Sequence, residues 1–217
     1  MAGSRRRESI APHMHTGLGP DRAGKGVAAR QRMTIGQNGR WIAVVGSRPE
    51  GRDGVLDALI TALGSAGTRV GGLIQRTRWS GGVIAGYDLC HPTRGETHAL
   101  AREDAIAPEL CRWRFVPEAF AQARRWALEE PCDAVLLEAG RLEAAERGHW
   151  RTILDALATE RLVVLSVRRG VLAHVALALP DPLDAIELPA APPEVAAFVA
   201  RTRVHARAPG ARGIEAR

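Results

Sequence analysis

At 217 residues the chain is long enough to bury one α/β core and too short for two ordinary domains. Its formal charge of +6 sits at the ends: residues 1–40 carry a net +6 and residues 201–217 a net +4, while residues 41–200 sum to −4. Cys90, Cys111 and Cys132 lack CxxC or finger-like His spacing, and no signal segment or membrane-spanning apolar run is read, which excludes a disulfide framework, a zinc finger and a membrane span and points to a reducing cytoplasm.

Residues 1–39 mix Gly, Pro, His and Arg without an apolar period and read as a disordered basic leader. Met33 opens TIGQNGRW and reads as an alternative start. Residues 40–200 read as the folded α/β domain and residues 201–217 as a basic tail. No aromatics interleave with the arginines of either end, so solvated extensions are expected there and nucleic acid is not expected as a partner.

Within the domain, residues 41–46 form a continuous apolar run, as a strand covered on both faces would. Val55, Leu56, Leu59, Ile60 and Leu63 then recur at helical spacing. Strands are expected at 69–75, 83–89 and 96–102, the last two making an antiparallel region. Pro117 opens a helix to about Glu130, 133–138 (DAVLLE) reads as a buried strand, and 142–157 reads as one helix. A strand at 162–167, a short helix from 171, a strand at 185–188 and a helix at 193–199 follow. Alternating strands and helices predict a mainly parallel, doubly wound sheet, with the antiparallel insertion between its first and second βα units.

Strand, glycine-bounded loop and helix over residues 41–63 form the arrangement that cradles nucleotide phosphates in P-loop proteins. The expected GxxxxGK[ST] becomes Gly46, Gly51, Arg52 and Asp53. The only lysine, Lys25, lies upstream in GPDRAGKG, which matches GxxxxGK by chance: no apolar strand precedes it and Gly26 replaces the Ser/Thr. Backbone amides between Ser47 and Gly54 can still hold an anion, with Arg52 supplying charge as a planar fork. Asp53 repels phosphate and suits a helix cap instead, so a plain structural turn is the other reading. Glu138 ends DAVLLE, either as an acid that orders metal or water beside the loop or as a solvated strand end. Arg168 and Arg169 end the next strand, and Arg141, Glu143 and Glu146 are spaced for helix-surface ion pairs. The Glu96/His98 and Glu146/His149 pairs show no convergence from spacing alone. Trp79, Trp113 and Trp126 read as packing or interface residues.

VVGSRPEGRDGVLDALITALGSAGTRVGGLIQ, GYDL, DAVLLEAGRLEAAERG and RLVVLSVRRG together resemble a degenerate bacterial branch of the P-loop nucleoside triphosphatases of the thermophilic type, over residues 41–178. The resemblance implies a P-loop fold with a small antiparallel insertion and an acid-bearing segment after a core strand. Active members carry the full GxxxxGK[ST] and Asp-Glu before a glycine. Here Arg52 and Asp53 replace Lys and Ser/Thr, and only Glu138 of the acid pair precedes Ala139 and Gly140. The resemblance also implies a link to molybdate uptake or molybdenum-cofactor functions. Three readings stand. The first is a nucleotide- or oxyanion-binding regulatory domain with little or no hydrolysis, using Gly46, Ser47, Gly51, Arg52, Asp53 and Gly54 with Glu138 opposite. The second is an active Mg²⁺-dependent nucleoside triphosphatase with Glu138 catalytic. The third is a protein-interaction scaffold.

Overall fold

The computed structural model describes residues 39–103 and 113–207; all but the last residue of the leader expected at 1–39, Cys111 and the end of the expected basic tail lie outside the described residues. Five parallel strands form the main sheet: β1 (Trp41–Val45), β2 (Val70–Gly72), β7 (Ala134–Ala139), β8 (Leu162–Val167) and β9 (Asp184–Glu187). Their order is β2-β7-β8-β1-β9. β8 therefore lies between the strand that ends at the phosphate-type loop and the strand that carries Glu138.

Every residue of β1, β7 and β8 is buried, because helices cover both faces of the sheet. Strand residues alternate between two cores. Ile42, Val44, Leu136 and Val164 pack under α1 (Arg52–Ser65) and α6 (Pro192–Ala206), where Leu59, Leu63 and Phe198 are fully buried. Trp41, Ala43, Val45, Leu137 and Leu165 face the opposite layer, built from α2 (Pro117–Arg124) with its π-type continuation Arg125–Glu129, α4 (Trp150–Leu157) and α5 (Leu172–Ala178). The doubly wound parallel sheet read from the sequence is the fold observed. Among the described residues no helix is long and apolar enough to cross a membrane.

The antiparallel insertion is a second sheet, in the order β3 (Ile74–Ser80), β4 (Val83–Cys90), β5 (Thr97–Glu103) and β6 (Trp113–Phe115). Its place differs from the expectation: it sits inside the second βα unit, between β2 and α2. The strand expected at 69–75 is in fact two, in different sheets. After Gly72 the chain leaves the parallel sheet, with the Leu73 N–H donating to the Leu136 carbonyl at 2.8 Å. Gly72 has φ +91°, and a Cβ there would stand 2.1 Å from the Leu136 oxygen, so only glycine fits this crossing. Periodicity cannot register such a transfer, because both halves are extended.

Two helix expectations are also corrected. The helix read over 142–157 breaks into α3 (Arg141–Ala144) and α4, because Glu146 (φ +56°) and Gly148 (φ +62°) turn the chain left-handed between them. The helix read at 193–199 runs from Pro192 to Ala206, its last turns burying Thr202 and Ala206.

Candidate functional site

The carboxyl ends of β1, β7 and β8 open together beneath the antiparallel sheet, where the crevice of a doubly wound sheet accepts ligands. After β1, the Gly46 N–H donates to the Val167 carbonyl of β8 at 3.0 Å. Arg48–Glu50 then form one 3₁₀ turn, Gly51 follows in the left-handed region (φ +92°), and α1 begins at Arg52. Gly54 is exposed in the first turn of α1.

The loop satisfies much of its own backbone. The Glu50 and Arg52 N–H groups donate to the Ser47 carbonyl at 3.1 and 3.3 Å, and that of Gly51 to the Arg48 carbonyl at 3.0 Å. The Ser47 N–H and hydroxyl both donate to one Glu50 carboxylate oxygen, at 2.7 and 2.5 Å. Those two bonds, with Arg169 3.7 Å away, hold the Glu50 carboxyl below the usual carboxylate range. The mouth of the loop thus already grips an oxyanion, supplied by its own chain.

Arg52 and Asp53 are locked together. The Arg52 guanidinium, 5 % exposed, donates through Nε and Nη2 to Asp53 Oδ1 at 3.2 and 3.0 Å, and its Nη1 stands 3.1 Å from Glu138 Oε2. Glu138 reaches it across the end of β8, and its other oxygen accepts the Gln75 N–H at 2.6 Å. Asp53 Oδ2 takes Arg48 at 2.7 Å and Arg76 at 3.3 Å, and Arg76 also meets Asp57 at 2.5 Å. Three arginines therefore face three acids. Burial pushes the Asp53 carboxyl up, but the guanidinium groups of Arg52, Arg48 and Arg76 outweigh it and leave it below its ordinary value. For Glu138 burial wins over Arg52 and the Gln75 N–H, and its pKa is raised.

These residues do not fit a Mg²⁺–triphosphate centre. A metal-ordering hydroxyl is missing at position 53, where the carboxylate is saturated by three guanidinium groups, and both Glu138 oxygens are engaged.

Around this network lies a cleft of about 620 Å³, whose walls include Ser47, Arg48, Thr77, Trp79, Arg168 and Arg169. Arg169 is held by Glu187 at 2.9 Å and by the Leu188 carbonyl. Arg168, exposed at the end of β8, has no ion-pair or hydrogen-bond partner for its guanidinium among the described residues.

Two other acid/base pairs read from the sequence do not converge. Glu96 pairs with Arg94 at 2.8 Å, and His98 packs on Trp126 at 5.4 Å. Glu146 is exposed in the turn between α3 and α4. Glu143, read as a helix-surface acid, is instead 3 % exposed and accepts the Gly140 and His149 N–H groups, each at 2.8 Å. Burial raises its pKa against those two bonds. The signal for this was local: Gly140 and Gly148 flank the acid, and a Cβ on Gly148 would lie 2.5 Å from the Glu143 carboxylate.

A family profile described as protein of unknown function (DUF2478) matches residues 41–176. No curated protein matches the sequence. Among solved structures, the solution structure of a human cancer-related nucleoside triphosphatase aligns with a TM-score of 0.58 at 14 % identity, over 77 % of this chain and 97 % of that one. The crystal structure of THEP1 from the hyperthermophile Aquifex aeolicus aligns with a TM-score of 0.48 at 15 % identity, over 75 % and 96 % of the two chains. The first likeness shows a fold shared with that nucleoside triphosphatase.

Proposed function

We propose, from the premise that the chain belongs to the family described as protein of unknown function (DUF2478), that its carboxyl-edge cleft binds a nucleotide or another oxyanion with little or no hydrolysis. The observation that carries this reading is the Glu50 carboxylate on the Ser47 N–H and hydroxyl. A loop that holds a carboxylate there presents donors suited to a phosphate or molybdate oxygen, since both are charge-assisted acceptors. The ligand's anionic end takes the place of Glu50 and meets Arg168 across the cleft. Gly46, Ser47, Gly51 and Gly54 shape the loop, while Arg52, Asp53 and Glu138 form its neutralised floor. That floor argues against turnover, because no residue in it is free to hold metal or activate water. Such a protein works as a binding or regulatory module, and molybdate is one oxyanion of the right chemistry.

The test is calorimetry on the full chain with ATP, GTP, phosphate and molybdate, with phosphate release followed in parallel. Saturable binding without release is expected, tightened by Glu50→Ala. No binding at millimolar ligand refutes the reading. Phosphate release that Glu138→Gln abolishes replaces it with the nucleoside-triphosphatase reading.

A further inference from the structure

Beside the cleft, and sharing Gln75, Tyr87, Glu138 and Arg168 with it, is a second cavity of about 140 Å³. Its wall is aromatic. The sequence has five tryptophans, one tyrosine and three phenylalanines, and this cavity takes the tyrosine, Tyr87, two of the phenylalanines, Phe115 and Phe120, and Trp113. They come from two strands of the insertion, β4 and β6, and from α2, and they lean on one another. Tyr87 and Trp113 meet edge-on at 5.3 Å between ring centroids, and Phe115 and Phe120 at 6.0 Å. The sheet core beneath is mostly aliphatic, so the concentration is local to the cavity.

Polar groups sit among these rings. His149 lines the cavity with its ring 4.8 Å from that of Phe120; it is 1 % exposed, and neither ring nitrogen has a hydrogen-bond partner. Burial lowers its pKa to about 4, so at neutral pH the imidazole offers one N–H and one lone pair. A buried polar pair left unmet is costly in a folded protein. At the mouth stand Arg141 and Arg168, both exposed and both without ion-pair or hydrogen-bond partners among the described residues.

We propose that this aromatic cavity seats the planar heterocycle of a nucleobase-class ligand, with the ligand's anionic tail passing Arg168 into the loop cleft. A cavity of roughly 150 Å³ holds a benzene-sized molecule, so the space matches one ring or the leading ring of a fused pair. Flat aromatic walls favour a π-system over an aliphatic chain, and the guanidinium groups of Arg141 and Arg168 at the mouth favour a polar heterocycle over a hydrocarbon. The two cavities thus divide the ligand between base and anion. The inference rests on the oxyanion-binding reading of the cleft and adds to it the class of molecule bound.

The experiment separates the two ideas by using the halves of the ligand. Calorimetry on the full chain is run with adenosine, guanosine, inorganic tripolyphosphate, ATP and GTP, on the natural protein and on Phe120→Ala, Tyr87→Leu and Arg168→Ala. Expected are saturable binding of a nucleoside, and a nucleotide affinity that falls about tenfold in Phe120→Ala and Tyr87→Leu while tripolyphosphate is unaffected. Arg168→Ala, at an exposed and unpartnered position, should fold normally, weaken tripolyphosphate and nucleotide together, and leave the nucleoside unchanged. If nucleotide and tripolyphosphate bind equally well and no nucleoside binds, the base site is refuted and the oxyanion reading survives. If none of the five binds, the base site falls, and the oxyanion reading falls with it when phosphate and molybdate also fail to bind.

Discussion

Replacing His149 by phenylalanine should flatten the acid limb of the stability curve. The imidazole is 1 % exposed, unpartnered at both nitrogens, and lowered by burial from 6.5 to about 4. In the unfolded chain it regains its ordinary value. Between pH 6.5 and 4 the unfolded state therefore holds a proton that the native state refuses, so stability is lost as pH falls through that window. At about 1.4 kcal/mol per pH unit, the loss reaches about 3 kcal/mol near pH 4. Glu138 and Glu143 act with the opposite sign. Their raised pKa values mean that the native state takes up protons first, which favours folding as pH falls toward their ordinary range. The natural curve mixes the three contributions, and the difference between natural protein and variant isolates His149. Urea unfolding from pH 7.5 to 4.5, with the m-value checked for constancy, should show the variant gaining about 2–3 kcal/mol on the natural protein across the range. His149→Leu should give the same slope, since it too removes the titrating group. Parallel curves for variant and natural protein would refute the claim that this ring is held neutral by its surroundings.

Two further outcomes follow from the loop network. Arg52→Ala removes the counter-charge of buried Glu138 and should destabilise the fold by about 3–5 kcal/mol; combined with Glu138→Gln, whose amide oxygen can still accept the Gln75 N–H, the loss should be clearly less than additive in urea unfolding. Additive losses would mean that the two side chains do not act as a pair. Asp53→Ser takes one carboxylate away from three guanidinium groups and should raise phosphate or molybdate affinity about tenfold by calorimetry. An unchanged affinity would make residues 46–53 a structural turn only.

The parallel core was legible because burial on both faces demands unbroken apolar runs, and 41–45, 134–137 and 162–165 have them. The loop between β1 and α1 was legible because glycine spacing and a following helical period are local signals. The split at Gly72 was hidden, since what forces it is the Leu136 carbonyl, a residue far along the chain. Glu143 was misread as a surface acid because helical spacing describes which residues share a face and says nothing of which face the fold covers.

From residues 41–63 and 133–138 alone came the strand–loop–helix frame, the replacement of lysine and hydroxyl by Arg52 and Asp53, and an acid at the end of a buried strand. These are properties of residue type and local order, which sequence records directly. Tertiary structure decided what those residues face. It brought Glu138 across β8 to Arg52, placed Arg76 of the insertion on Asp53, and gathered Tyr87, Phe115, Phe120 and His149 around one cavity. Strand order and the docking of one sheet on another set those meetings. Both depend on contacts between distant segments, for which a single sequence carries no periodicity.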